Sequence, residues 1–221
     1  MSIFLIYDAE NYEYLLQPAG YGVLALLLIA LLLCIRVFGK KETARQIKTK
    51  QLVFCAVSIA LATVASFIKL ASLPFGGSIT LFSMLFISLI GYFYGAKTGL
   101  ITGTAYGVLQ LIIDPYIYAP FQVLLDYPLA FGALGLSGFF QHKKHGLVIG
   151  YIIGVLGRYL CHVSSGYIFF AEYAPESMNP LLYTLGYNLT YILPEMLVTV
   201  VALYTPAVCQ AVGQVKKQAC A

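Results

Sequence analysis

Arg158 to Thr190 reads RYLCHVSSGYIFFAEYAPESMNPLLYTLGYNLT, and its first half is an apolar helix into which an arginine and a histidine are set four residues apart. Hydrocarbon does not accept such groups without a partner or a cavity. The chain around this stretch has 221 residues, 60% hydrophobic and 10% charged, where a soluble domain carries about a quarter charged residues. Mean hydropathy is +0.84. The sequence is therefore that of a polytopic membrane protein, and the fold question becomes which helices cross and what their few polar groups meet.

Apolar runs long enough to span a bilayer, roughly 17 to 25 residues each, occur at 18–38, 52–70, 79–95, 97–113, 119–140, 146–170 and 181–212. The expectation is an all-α membrane protein of seven helices. Residues 1–51 form an outer segment, a first membrane helix and a basic linker, and 52–221 form a six-helix membrane domain. The first run is too long for a signal-peptide core and is preceded by Asp8, Glu10 and Glu13 rather than by basic residues, so it should stay as an anchor. Arg36, Lys40, Lys41, Arg45, Lys48, Lys50, Lys97, Lys143, Lys144, Lys216 and Lys217 all fall in alternate loops or at the C-terminus. Positive charge stays on the cytoplasmic side; the N-terminus is then outside and the C-terminus inside. Only Lys69 runs against this pattern.

Cys34, Cys55, Cys161, Cys209 and Cys220 are odd in number and lack metal-ligand spacing, which argues against a disulfide framework or a zinc site. His142 and His145, crowded by lysines in QHKKHG, read as a solvated turn rather than a metal site, and no cofactor is expected. Gly146, Gly150 and Gly154 share one helix face and predict close packing. There is no nucleotide-binding glycine loop, no soluble domain and nothing suited to nucleic acid. The basic linker suits contact with anionic membrane lipid.

The informative residues are Asp126, Arg158, His162 and Glu195, joined by Asn188. At 1.5 Å per helical residue, Asp126, His162 and Asn188 each lie about 10 to 12 Å below the outer surface, on three different helices. They predict a polar pocket open to the outside. Arg158 and Glu195 lie deeper, at about 18 to 21 Å, and their opposite charges predict a structural ion pair closing its floor. Arg158, His162 and Gly166 repeat at four residues and share a helix face, with the glycine leaving space above the imidazole. Tyr106, Tyr127, Tyr183 and Tyr187 can reach the same level, and aromatic faces around a carboxylate suit a flat, cationic ligand.

GRYLCHVSSGYIFFAEYAPESMNPLLYTLGYNLTYILPE, together with PFGGSITL, YGAKTGLITGTAYGVLQL and FQVLLDYPLAFGALGLSG, resembles the thiamine-specific S components of energy-coupling factor (ECF) vitamin transporters, over about residues 52–212. The resemblance implies a subunit that captures thiamine or a close relative from outside, and partners comprising a transmembrane coupling protein and two ATPase subunits. Carried over residue by residue, it implies ligand contacts from Tyr106, Asp126, Tyr127, His162, Gly166, Phe170, Tyr183 and Asn188. It also implies that Ala56 and Ala60, four residues apart in CAVSIALATVAS, form the docking face for the coupling protein, against the alternative of packing within the subunit. The chain departs from the family in having no tryptophan and in placing Asp126 where the family has a glutamate. The competing functions are an ion-coupled carrier using Arg158 and Glu195, and an intramembrane enzyme using His162 and Asp126 as acid and base.

Overall fold

The computed structural model describes residues 5–8, 13–16, 49–73 and 77–221; the expected first helix at 18–38 lies outside them. Near the N-terminus, β1 (Leu5–Asp8) pairs antiparallel with β2 (Glu13–Leu16). The described helices begin with α1 (Thr49–Phe67), which ends short of the expected residue 70. There the chain turns into β3 (Lys69–Ser72), antiparallel to β4 (Ser78–Thr80) with Lys69 opposite Thr80. Then follow α2 (Ser83–Tyr94), α3 (Ala96–Ile113), α4 (Pro120–Phe140), α5 (Gly146–Phe169), α6 (Pro180–Tyr204) and α7 (Pro206–Cys220).

Among the described residues, α1, α4, α5 and α6 are long and apolar enough to cross a membrane, and the shorter α2 is also apolar. This is a helical multi-pass membrane protein. Gly95, with φ at +92°, makes the tight turn between α2 and α3 that a side chain at this position would strain. The run at 181–212 is not one helix. Pro206 biases Thr205 away from helical geometry, Thr205 is extended at ψ 128°, and α7 starts afresh with proline in its first turn.

The core forms around α4, the most enclosed of the four long spans. On α3, Gly99, Gly103 and Gly107 each leave no room for a Cβ against the backbone of Gly135, Phe131 and Tyr127. The two helices therefore pack backbone to backbone, the arrangement small residues permit in lipid. The expected close packing at Gly146, Gly150 and Gly154 is present. Added Cβ atoms at Gly150 and Gly154 would stand 2.7 Å from the Ser137 carbonyl oxygen and 3.0 Å from Leu134 Cα. Met84, Ile87, Tyr106, Leu134 and Tyr151 are fully buried at these interfaces, whereas Phe121, Leu160, Ile168, Leu182 and Val201 project outward as a surface suited to lipid.

The expected Arg158–Glu195 ion pair does not form. Glu195 accepts from Thr80 Oγ1 at 2.7 Å, Ser83 Oγ at 3.1 Å, and the backbone N–H groups of Thr80 and Met84, both at 3.3 Å. Its two oxygens are thus spent on the end of β4 and the first turn of α2. No α2 side chain caps that terminus, because Phe82, at the capping position, is apolar and left-handed. A carboxylate from α6 does the capping instead, where the helix dipole favours negative charge.

Candidate ligand-binding site

Asp126 owes its position to Pro128. A proline in mid-helix has no N–H to donate and collides with the carbonyl four residues back, so Leu125–Leu129 widens by one residue and Ala130 N–H reaches Leu125 O, five residues away. Such a bulge re-aims the side chains it carries. Asp126 leaves the bulge toward α5, where His162 Nδ1 lies 3.0 Å from Oδ1 and Ser165 Oγ donates to Oδ2 at 2.8 Å. Gln122, one turn before it, donates Nε2–H to Oδ2 at 2.7 Å. Gln122 is itself held, accepting from Tyr118 N–H and donating to Tyr116 O, so its orientation is not free to reverse.

These groups line a cavity of about 390 Å³ at the end of the bundle where β3 and β4 lie, within the usual size range of small-molecule sites. Phe170 closes one side, among the rings of Tyr116, Tyr118 and Tyr173 at centroid distances of 5.2 to 5.9 Å. The opposite side is α6, whose Tyr183, Tyr187 and Tyr191 run along one face at successive ring distances of 6.0 and 6.3 Å. Tyr191 meets the His162 ring edge-on at 6.1 Å and donates to Asn188 Oδ1 at 2.6 Å, and Asn188 in turn donates to Thr184 O. The hairpin roofs this end, since a Cβ at Gly77 would press on the Tyr191 ring at 2.8 Å. Lys69 on β3 pairs with Asp114, which follows α3, at 2.5 Å.

Asp126, Tyr127, His162, Gly166, Phe170, Tyr183 and Asn188 all line this cavity. Tyr106 does not; it lines an adjoining cavity of about 240 Å³, and its hydroxyl donates to Ala62 O at 3.1 Å. Tyr127 presents its ring, but its hydroxyl donates to Asp114 O and accepts from Tyr116 N–H, which pins the loop between α3 and α4. The space expected above His162 at Gly166 is taken by Thr184, whose Cγ2 would sit 2.5 Å from an added Cβ. The glycine admits α6 rather than leaving a void. Among the described residues, no group of three or more His, Cys, Asp or Glu could hold a metal.

Compared with known proteins, residues 52–213 match the model of the thiamine transporter protein family (Thia_YuaJ). The chain belongs to this family. It is 36% identical over 176 residues to the thiamine transporter ThiT of Bacillus subtilis, a match covering 71% of this chain and 91% of that relative. It is 32% identical over 103 residues to ThiT of Lacticaseibacillus paracasei, over 39% of this chain and 51% of that protein. Its fold matches the solved structure of ThiT from Listeria monocytogenes with a TM-score of 0.57 at 25% identity, covering 71% of this chain and 94% of that one. As a member of a transporter family the chain is a transport component rather than an enzyme, and the acid–base reading of His162 and Asp126 is set aside.

Gln122, Ser165, Thr184 and Tyr191 belong to the site although the residue pattern did not single them out. All four were within reach: Gln122 stands four residues before Asp126 and Ser165 three after His162, the spacings that share a helix face. Thr184 and Tyr191 share that spacing with Asn188 and Tyr187; what spacing could not announce is the contact of Tyr191 with Gly77, which depends on a hairpin that no apolar run reveals.

Proposed function

We propose that this chain is the substrate-capturing subunit of an ATP-driven vitamin uptake system, binding thiamine or a close relative in the 390 Å³ cavity and presenting it for import. What carries the reading is Asp126: a carboxylate with three protein donors, set among aromatic rings, in a chain of the thiamine transporter family. A thiazolium cation gains from the nearby negative charge and from the ring faces, and a flat pyrimidine finds a hydrogen-bonding partner in Asn188 and a ring face in His162, whose two nitrogens are held by Asp126 and Arg158. The contacts are Asp126, Tyr127, His162, Gly166, Phe170, Tyr183 and Asn188. The cavity faces outward, with the lysine-rich turn at Lys143 and Lys144 and the C-terminus in the cytoplasm, as the distribution of basic residues favours.

ATP hydrolysis is supplied by partners, a transmembrane coupling protein and two ATPases. Ala56 and Ala60 support this: both are exposed on the outer side of α1, while Ala62 and Ser66 are buried against the rest of the bundle. The test is mass spectrometry of small molecules released from the purified protein, followed by calorimetric titration with thiamine. Thiamine recovered unchanged and binding with measurable heat is the expected result. Silence with thiamine alongside clear binding of another heterocycle would overturn the ligand assignment.

A further inference from the structure

Arg158 has lost the partner that its depth suggested and has kept its place inside the bundle. Among the described residues it forms no ion pair. Its guanidinium lies over the Phe131 ring, 4.2 Å from the centroid, and its Nε–H donates to His162 Nε2 at 3.3 Å. An arginine in such a position is costly and persists where it does something.

The contact with His162 has a definite chemical consequence. Arginine only donates, so Nε2 of His162 must present its lone pair, and the ring N–H is then on Nδ1. That is the nitrogen 3.0 Å from Asp126 Oδ1. The reverse assignment would set two N–H groups against each other at Nε2 and leave Nδ1 without a proton to give the carboxylate. Which ring nitrogen carries the proton is generally decided by the bond the other one makes. The other groups bearing on the ring are Asp126 from α4 and Tyr191 from α6, which meets it edge-on and spends its hydroxyl on Asn188. Ser165 and Gln122 both serve Oδ2, whereas His162 serves Oδ1.

We infer that Arg158 is a positioning residue of the binding site: together with Asp126 it holds His162 in the Nδ1–H tautomer, and by anchoring the ring at Nε2 it fixes the Asp126 carboxylate that meets the ligand. The inference rests on the ligand site proposed above; Arg158 lines that cavity as well, but its Nε–H is committed to His162 and its guanidinium lies over Phe131, so its effect on binding is assigned to His162.

The test combines a spectroscopic signature with binding. In protein labelled with ¹⁵N-histidine and carrying His142→Gln and His145→Asn in the exposed turn, only His162 reports. Without ligand, its ring-nitrogen shifts should show a protonated Nδ1 and a bare Nε2. In Arg158→Met the carboxylate still holds the Nδ1–H, but Nε2 loses its donor, so the Nε2 shift should move away from the wild-type position and thiamine binding should weaken about tenfold, the usual scale for a hydrogen bond serving a charged group. Arg158→Lys, which keeps a donor, should retain the wild-type position. In a His162→Phe background, Arg158→Met should add no further loss of affinity. A wild-type spectrum with the proton on Nε2 overturns the inference outright, even if the methionine variant does not fold. So does an Arg158→Met spectrum like wild type, or a full additional loss in the His162→Phe background, which would put Arg158 in contact with the ligand. Should thiamine not bind the wild-type protein, the ligand assignment fails while the ligand-free spectrum still decides this point.

Discussion

Glu195, in the middle of α6, accepts from both the hydroxyl and the backbone N–H of Thr80, at 2.7 and 3.3 Å. The end of the roofing hairpin is thereby strapped to the helix that carries Tyr183, Tyr187, Asn188 and Tyr191 into the cavity. Because the same carboxylate also caps α2 through Ser83 and Met84, three elements meet at one buried acid.

Glu195→Ala should therefore cost about 2 to 4 kcal/mol, since it strands several buried donors at once. Glu195→Gln keeps the shape but, whichever way the amide sits, turns an NH₂ toward a backbone N–H that can only donate, that of Thr80 or of Met84; the Thr80 and Ser83 hydroxyls can turn to accept, so part of the loss should be recovered. Thermal unfolding in detergent reads both. A melting temperature unchanged in the alanine variant would show that water or other acceptors serve the hairpin instead.

Asp126→Asn tests the carboxylate itself. Gln122 is locked by Tyr116 and Tyr118, so an amide on the Oδ2 side faces a donor that cannot turn away. Thiamine affinity should fall by about 10- to 100-fold, or roughly 1.5 to 3 kcal/mol, with a smaller effect on unfolding. Calorimetry of the purified variant is the measurement, and wild-type affinity would remove Asp126 from the site.

Pro128→Ala restores an N–H that can reach Leu124 O and so removes the reason for the wide turn at Leu125–Leu129. If the turn closes to regular helix, Asp126 rotates by about 100° relative to the residues beyond it. The expected outcome is loss of thiamine binding with stability kept or raised, because a helix-interior proline ordinarily costs about 3 kcal/mol. Binding at wild-type strength would mean that packing of α3 against α4 holds the bulge without the proline.

Spacing along the chain made the depth of each polar group legible, because a helix rises uniformly, and Asp126, His162 and Asn188 do line one cavity. Depth says nothing of rotation. Arg158 and Glu195 stand at similar levels, but rotation about their helices brings Glu195 to Thr80 and Arg158 to His162 and Phe131. The hairpin of Lys69–Ser72 and Ser78–Thr80 escaped notice because such short strands carry no sustained alternation, and their neighbours read as helix ends. The wide turn at Pro128 was likewise hidden: proline marks a disturbance in a helix, and the packing around it selects a bulge over a kink. Glycine spacing was the more faithful guide, as Gly150 and Gly154 show, because a missing side chain on one face has few uses besides close approach.

Gly166→Ala should force α5 and α6 apart, since its Cβ would fall 2.5 Å from Thr184 Cγ2. Overpacking of this kind costs about 1 to 3 kcal/mol, and thiamine affinity should fall with it because Thr184 and Asn188 move together. Thr184→Ser removes the offending methyl while keeping the hydroxyl. The double variant should recover both stability and affinity, and failure to recover either would place the clash elsewhere.

The last prediction concerns the outward side of α1. Ala56 and Ala60 are exposed there beside Val53 and Val57, and a face of two alanines one turn apart lets a partner helix approach closely in lipid. Packing within the subunit, the competing use of such a pattern, falls instead to Ala62 and Ser66 on the buried side. Ala56→Leu and Ala60→Leu add bulk only where nothing in the described chain presses on them. Thiamine binding by the isolated subunit and its thermal unfolding should stay as in wild type, whereas ATP-driven uptake with the coupling protein and both ATPases present should be lost. Transport of labelled thiamine into proteoliposomes, run beside calorimetry on the isolated variants, separates the outcomes. Uptake that survives both substitutions would move the docking face off this part of α1, and weakened binding in the isolated subunit would return the two alanines to internal packing.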